Sequence, residues 1–467
     1  MKIEQIYTGC LAQGAYYIES DGEAAIIDPL RETATYVEMA ARNNARIRYV
    51  LETHFHADFV SGHLDLAAQT GATIVYGPGA APAFPFYAAK DNEELSLGKS
   101  RIRVLHTPGH TMESTCYLLI DENGKEVALF SGDTLFIGDV GRPDLAQKLK
   151  AELTQDMLAG LLYDSLRNKI MTLPDDVIVY PAHGAGSACG KNMSRETSDT
   201  LGHQKQTNYA LRPDMTKEAF IKEVTSGLTE PPAYFPSNVL MNIRGYENSE
   251  TVRQRALQAL SPDAFEAAAR DTKAWIIDTR AAQTFARGFI AGSVNIGLDG
   301  SFAPWAGTVI PDVNQPLLIV AEPGTEEEVV IRLSRVGLDH VTGFLQGGFD
   351  SWEKAGKAIE HIASVPATEL PADAELLDVR KKSEYESEHV IGAPNSPLDY
   401  INDAVNVIDR HKTCYVYCAG GYRSMIFISL MKARGYNNLV DVQGGLKAIK
   451  ASGRFRLTAY ACPTTML

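Results

Sequence analysis

Three metal-binding side chains fall within five residues at His54-Phe55-His56-Ala57-Asp58, directly after the apolar stretch Ile47-Arg48-Tyr49-Val50-Leu51. A strand that ends in so tight a loop sets His54, His56 and Asp58 on one rim. Further donors follow at His110 in Thr107-Pro-Gly-His110-Thr, Asp133 in Ser131-Gly-Asp133-Thr and His183 in Pro181-Ala-His183-Gly. Two histidines and a carboxylate on one face, with other positions open, are the ligand set of non-haem Fe(II) oxygenases. The same ligand types suit Zn(II), so a hydrolase stays open. A lone His-x-His is more often an ordinary surface or core pair, but four such motifs in order across about 130 residues weaken that reading. His63 and His106 flank the motifs and are read as packing or hydrogen-bonding residues.

A second kind of chemistry lies far down the chain, where Tyr415-Val-Tyr417 leads into Cys418-Ala419-Gly420-Gly421-Tyr422-Arg423-Ser424. The glycines let the backbone curl so that successive N–H groups point at the Cys418 sulfur. A helix starting near Arg423 would add its positive end and favour a thiolate or persulfide anion there. An internal repeat of about 100 residues positions this loop. Ile277-Asp278-Thr-Arg280 recurs as Leu377-Asp378-Val-Arg380, Ile290-Ala-Gly292-Ser-Val-Asn295 as Ile391-Gly392-Ala-Pro-Asn395, and Gln346-Gly-Gly348 as Gln443-Gly-Gly445. Short apolar strands alternating with amphipathic stretches make each unit a small α/β domain with a parallel sheet. The first copy reads Val320-Ala321-Glu322-Pro323-Gly324-Thr-Glu-Glu-Glu328 where the second has its cysteine, and no cysteine occurs from 190 to 413. That copy cannot carry sulfur covalently, its acidic run would repel an anionic persulfide, and it is read as a structural spacer.

The histidine and aspartate motifs together resemble the metallo-β-lactamase superfamily, and both copies of the repeat resemble the rhodanese family. Nearly the whole chain resembles the bacterial persulfide dioxygenase–rhodanese fusions. The resemblance implies an α/β protein: a metallo-β-lactamase αββα sandwich followed by two rhodanese-like α/β domains with parallel sheets, the first degenerate. It implies one Fe(II) per chain on His54, His110 and Asp133, with His56, Asp58 and His183 orienting ligands or relaying protons around them. In the superfamily the loop usually ends His-x-His-x-Asp-His. Here the last position is Phe59, which has no lone pair, so a full second metal site is hard to build and Phe59→His should admit a further metal. Val140-Gly-Arg142-Pro-Asp144 resembles the segment that brings an arginine to the substrate carboxylate, which makes Arg142 a candidate grip on the thiol carrier. After His183 the glutathione-dependent members continue with an acidic residue and a tyrosine. This chain has Gly184-Ala-Gly-Ser-Ala-Cys189-Gly-Lys191; the resemblance to the fusion enzymes implies that Cys189 lies near the mouth of the metal site, to accept or present a persulfide or as a small buried hydrophobe. Four residues between Cys418 and Arg423 match the sulfurtransferases; the phosphatases of that fold carry one more.

The activity so implied is Fe(II)-dependent oxidation of a thiol persulfide by O2 to sulfite, coupled to rhodanese sulfur transfer at Cys418 that gives or uses thiosulfate. Glutathione and coenzyme A are candidate carriers. A Zn-dependent, glyoxalase II-like thioester hydrolase fused to a rhodanese is the alternative, and a sulfur relay with a structural metal is a third. Dinuclear hydrolases use both metals to make and hold hydroxide, which Phe59 opposes. Structural sites are usually closed, which opposes the third.

Bulk properties agree. The chain has 467 residues and 45% hydrophobic content, enough for about three domains. We divide it at 1–240 (metal domain), 255–361 (degenerate rhodanese) and 365–460 (active rhodanese), with 247–260 as a helical connector and Ile362–Ala367 as a linker. A net charge of −14 argues against nucleic acid and anionic membranes as partners. The first residues, Met-Lys-Ile-Glu-Gln-Ile, lack an apolar signal core, and no run approaches membrane-spanning length. Six cysteines in so long a chain do not make a disulfide scaffold, so a reducing cytoplasm is expected, with a homo-oligomer as the expected assembly. Cys10, Cys116, Cys414 and Cys462 are given no role.

Overall fold

A computed structural model describes residues 1–145, 153–191 and 193–461; Cys462 lies outside the described residues. The chain divides into two compact units, Met1–Ser249 with Ser334–Gly337, and Glu250–Leu333 with Leu338–Leu467.

Short strands of the first unit, the central ones buried along nearly their whole length, form two six-stranded sheets. The first runs in sequence order from Lys2–Thr8 to Tyr87–Ala88, antiparallel over its first three strands and parallel over the rest. The second runs from Glu94–Leu97 to Asp199–Thr200, and only Glu126–Gly132 and Ile178–Pro181 pair in parallel. Tyr16, Ile18, Ile27, Leu51 and Val75 of the first sheet share a buried cluster with Val104, Tyr117, Leu119 and Phe130 of the second. The sheets therefore pack face to face, and this burial is the main force holding the unit. On the far side of the second sheet, Leu118, Leu129 and Val179 meet Leu162 and Leu166 beneath helix Gln155–Ser165. The expected αββα sandwich is present. Strands Arg46–Glu52, Ser100–His106, Glu126–Gly132 and Ile178–Pro181 each run out into a loop that carries a donor.

The unit continues past the boundary at 240 because helix Phe235–Arg244 spans it and packs inward. Asn242 on that helix is buried and donates from Nδ2 to the carbonyls of His56 (2.8 Å) and Phe59 (2.9 Å), while its Oδ1 accepts from Ser61 N (2.9 Å). Helix Phe235–Arg244 thus pins the His-x-His loop.

In the second unit each copy of the repeat has its own all-parallel sheet. The order is Ala259–Leu260, Val341–Leu345, Leu317–Val320, Trp275–Asp278, Val294–Asn295 in the first copy, and Ser364–Pro366, Leu439–Gln443, Cys414–Tyr417, Leu376–Asp378 in the second. Both expected linkers prove to be partly sheet. Residues 247–260 hold helix Ser249–Ala256 and then the edge strand Ala259–Leu260, and Ile362–Ala367 contains the edge strand Ser364–Pro366. Each is short, so periodicity could not reveal it; pairing with Val341–Leu345 and Leu439–Gln443 makes the strand.

The repeated Asp-x-Arg and Asn signatures are one piece of wiring built twice. Arg280 Nη2 lies 2.6 Å from Asp278 Oδ2, and Arg380 Nη2 lies 2.6 Å from Asp378 Oδ2, with all four side chains buried. Asn295 Nδ2 donates to the carbonyls of Asp278 and Arg280, and Asn395 Nδ2 does the same at Asp378 and Arg380. Removing one partner strands a buried charge. Asp378→Ala is expected to destabilise the second unit by about 3–5 kcal/mol, and Asp378→Leu with Arg380→Met to recover most of that loss, as read by urea denaturation. Among the described residues, no helix is long and apolar enough to cross a membrane.

Candidate functional site

His54, His110 and Asp133 come together from three loops, with one donor atom of each within 4.8 Å of the others and all three residues buried. His54 Nε2 lies 3.8 Å and His110 Nε2 lies 3.4 Å from Asp133 Oδ2. The ring tautomers follow from the other nitrogens. His110 Nδ1 lies 2.8 Å from the Arg142 carbonyl, an acceptor only, so it carries the proton. His54 Nδ1 lies 2.9 Å from Thr53 Oγ1, whose own proton goes to Asp28 Oδ2 at 2.8 Å, so His54 Nδ1 donates as well. Both Nε2 lone pairs are left facing Asp133 Oδ2, a buried oxygen with no hydrogen-bond partner. Two lone pairs and an orphan carboxylate oxygen are what a cation fits. Burial and the neighbouring His56 hold the His54 imidazole well below its usual range. Burial would raise the Asp133 carboxyl, but His183, His54 and His110 outweigh it and hold it far below.

The supporting backbone is close. A Cβ at Gly141 would stand 2.0 Å from the Asp133 carbonyl and 2.9 Å from His110 Nδ1, so only glycine lets this segment pass behind both residues.

Of the residues expected around the three donors, His183 lies between two carboxylates, with Nδ1 2.7 Å from Asp133 Oδ1 and Nε2 2.8 Å from Asp58 Oδ2. Burial opposes its charge, but Asp133 and Asp58 prevail and raise its pKa well above the usual value. It fixes Asp133 from behind, as a hydrogen-bonded imidazole does for a ligand. His56 turns elsewhere: its Nε2 lies 3.0 Å from Asp28 Oδ1 and 3.5 Å from Glu52 Oε2. Phe59 is fully buried, with its ring centroid 4.2 Å from that of His56. Asp28 and Glu52 escaped the sequence reading. The available signal was an acid at the end of each of two apolar strands beside the histidine motif. Burial and the charge of Asp28 push the Glu52 carboxyl up.

Cys189 is buried, and its sulfur joins Asp58 and His183 in a second group whose donor atoms lie within 4.8 Å of one another. Burial, then the charges of Asp58 and Asp133, raise its thiol pKa well above the usual value. The sequence reading placed Cys189 near the mouth of the metal site; it is buried, with its sulfur beside Asp58 and His183. Arg142 is a correction. Its Nε and Nη2 both lie 2.7 Å from the Asp144 carboxylate, Nη1 donates to the Ala188 carbonyl at 3.2 Å, Nη2 donates also to the Thr229 carbonyl, and the side chain is 4% exposed. A fork already filled and buried does not grip a substrate carboxylate. Through its carbonyl, Arg142 holds His110 instead.

In the second unit, Cys418 sits at the end of strand Cys414–Tyr417, buried, with its sulfur accepting the Gly421 N–H at 3.1 Å. Helix Tyr422–Ala433 starts at once, so its positive end faces the loop Ala419-Gly420-Gly421-Tyr422. Ser424 Oγ lies 3.7 Å from the sulfur. Arg423 is half-buried, and its Nη1 and Nη2 meet Glu384 at 2.5 and 2.8 Å. Glu384 was missed because it lies far from the loop in sequence. Of the cysteines given no role, burial pushes Cys116 up to about 11 and Cys414 up to about 12.

Residues 8–183 match the metallo-beta-lactamase superfamily, and residues 261–355 and 366–452 match the rhodanese-like domain. A hydroxyacylglutathione hydrolase from Polaromonas sp. (strain JS666 / ATCC BAA-500) is 32% identical over 189 residues, 39% of this chain and 66% of that protein. The chain spans 58–66% of the length of the first curated relatives it matches. Among solved structures, a metallo-beta-lactamase from Staphylococcus aureus subsp. aureus COL is similar at 30% identity and TM-score 0.65, over 74% of this chain and 98% of that one. ETHE1 from Myxococcus xanthus is 27% identical with TM-score 0.44, over 52% of this chain and 98% of that one.

Proposed function

Since the chain belongs to the metallo-beta-lactamase superfamily and carries rhodanese-like domains behind that fold, we propose that it is a persulfide dioxygenase with sulfurtransferase activity. The observation that carries the proposal is the buried His54, His110 and Asp133 set, with His56 turned away to Asp28 and Glu52, in a chain that also holds the Cys418 loop. Fe(II) on those three residues would supply open coordination positions where a persulfide sulfur and O2 can react. The balance is RSSH + O2 + H2O → RSH + sulfite + 2 H⁺. His183 keeps Asp133 oriented, and Arg142 and Thr53 keep the two histidines in the tautomer that offers Nε2. At the second site, the Cys418 thiol takes the sulfane sulfur of another persulfide and releases RSH. The resulting Cys418 persulfide passes that sulfur to sulfite, giving thiosulfate and the free thiol. Glutathione or coenzyme A persulfide is the substrate class we assign. The five described cysteines are all free, which supports a reducing compartment.

A second reading, a thioester hydrolase, is supported by the Asp58, His183 and Cys189 group and by the similarity to a hydroxyacylglutathione hydrolase. A thiolate beside imidazole and carboxylate favours Zn(II), and binding there must displace the thiol proton. The deciding experiment gives iron-loaded protein glutathione persulfide and coenzyme A persulfide, with O2 uptake and metal content read on one sample. Uptake that tracks bound iron supports the dioxygenase. Absence of uptake at full iron, with cleavage of a glutathione thioester by the zinc form, supports the hydrolase. On that second reading zinc content is about two per chain and falls to about one in Cys189→Ala; on the first, Cys189→Ala leaves one iron per chain.

A further inference from the structure

The copy without a cysteine reaches the sulfur-transfer loop through side chains that the chemistry above does not use. The Cys418 thiol faces Ser424 Oγ, and that hydroxyl donates to Oδ1 of buried Asp441 at 2.8 Å. The other carboxylate oxygen, Oδ2, accepts from Gln283 Nε2 at 2.8 Å. Gln283 belongs to the first copy, on the helix Ala282–Arg287. The Ser364 hydroxyl lies 2.8 Å from the same Oδ2 and 3.0 Å from Gln283 Oε1, so both ends of the amide are engaged. Neutral donors hold this carboxylate. Burial raises its pKa, against hydrogen bonds from Ser424, Ser364 and Gln283.

A second set of contacts converges on the same loop. Tyr422 donates its hydroxyl to the Gly297 carbonyl of the first copy at 2.8 Å. Its ring lies so close to Gly300 that a Cβ there would stand 2.4 Å away. A cleft of about 260 Å³ is lined by Gln283, Leu298 and Asp299 from the first copy and by Gly420, Gly421 and Tyr422 from the second.

We infer that the cysteine-less copy is part of the sulfur-transfer site, with Gln283 as a positioning residue that orients Asp441 and, through it, the Ser424 hydroxyl facing the Cys418 sulfur. The physical reason is directional. A serine has one proton to give; given to Asp441, it leaves an oxygen lone pair towards the thiol. Without Gln283, Oδ2 of the buried carboxylate keeps only the Ser364 hydroxyl as donor, so the carboxylate is held less firmly, and the serine with it. The sequence pattern agrees: in the repeat, Phe344 stands where the second copy has Asp441, so the carboxylate occurs only beside the reactive cysteine.

The inference rests on the sulfur-transfer reading of Cys418, and the test separates the two. The full chain is assayed for thiosulfate made from glutathione persulfide and sulfite. Gln283→Ala is expected to lower kcat about fivefold with KM within about twofold, the loss of one hydrogen bond to a buried acceptor. Gln283→Glu, which sets a second carboxylate against Asp441, is expected to lose at least as much. Gln283→Glu with Asp441→Asn exchanges donor and acceptor and is expected to return kcat to within about twofold of wild type. Wild-type kcat in Gln283→Ala, a change in KM alone, or no recovery in the exchanged pair overturns the inference. Should Gln283→Ala not fold, the shape-conserving Gln283→Met and the exchanged pair carry the same decision. Cys418→Ser is run alongside: if it keeps transfer activity, the reading of Cys418 fails, whatever Gln283 does.

Discussion

A Cys418→Ser chain is expected to take up O2 with a small persulfide at the wild-type rate, while enzymatic thiosulfate falls to background and sulfite accumulates in its place. The serine oxygen fits the same buried position and still accepts the Gly421 N–H that now meets the sulfur at 3.1 Å. It cannot hold a sulfane sulfur, because neither nucleophilicity nor leaving-group chemistry at oxygen permits a stored persulfide. The loss is therefore chemical, with the loop intact. Sulfite and thiosulfate resolved by ion chromatography, beside an O2 electrode trace, read both halves at once. Continued enzymatic thiosulfate from the serine chain would mean that Cys418 is misassigned and that the sulfur is held elsewhere. Loss of O2 uptake along with it would mean that the metal site depends on a persulfide made at Cys418.

What could be read from the chain in advance was whatever is local or repeated. His54, His110 and Asp133 announce themselves because each sits just past an apolar strand, and strand ends converge in a face-to-face sandwich. The Asp-x-Arg and Asn signatures repeat because the turn they close must be built twice. The edge strands Ala259–Leu260 and Ser364–Pro366 were hidden because two or three residues have no period, and only a distant partner makes them strands. Arg142 shows the other limit. Residue type suggested a grip on substrate, but a guanidinium's partner is decided in three dimensions, and Asp144 with two carbonyls had already filled the fork. Cys189 and Phe59 show it again. One position lost a donor in the sequence while another, 130 residues on, brought a sulfur to Asp58 and His183. The first copy's acidic stretch suggested a spacer, yet Gln283 and Gly297 bond to the second copy at its reactive loop.

Asp133→Asn should strip the metal and silence O2 uptake while leaving sulfur transfer at Cys418 untouched. Asparagine keeps the shape and can still accept a hydrogen bond from His183 Nδ1, which now meets Oδ1 at 2.7 Å. What it removes is the charge on Oδ2, the buried atom without a hydrogen-bond partner that faces the Nε2 atoms of His54 and His110. Loss of a partner that merely orients a ligand costs about 10–100-fold in metal affinity, so removal of the anionic donor itself should cost at least about 100-fold. Metal content by mass spectrometry after equilibration at micromolar Fe(II) gives the direct reading. Thiosulfate formed from added persulfide and sulfite reports that the second unit is folded and working. The contrast between the two readouts is the argument: a fall in both would point to a folding defect, whereas full metal in the asparagine chain would remove Asp133 from the ligand set. In that case the carboxylate would have to come from Asp58, the other acid bonded to His183, and the open face assigned to persulfide and O2 would move with it.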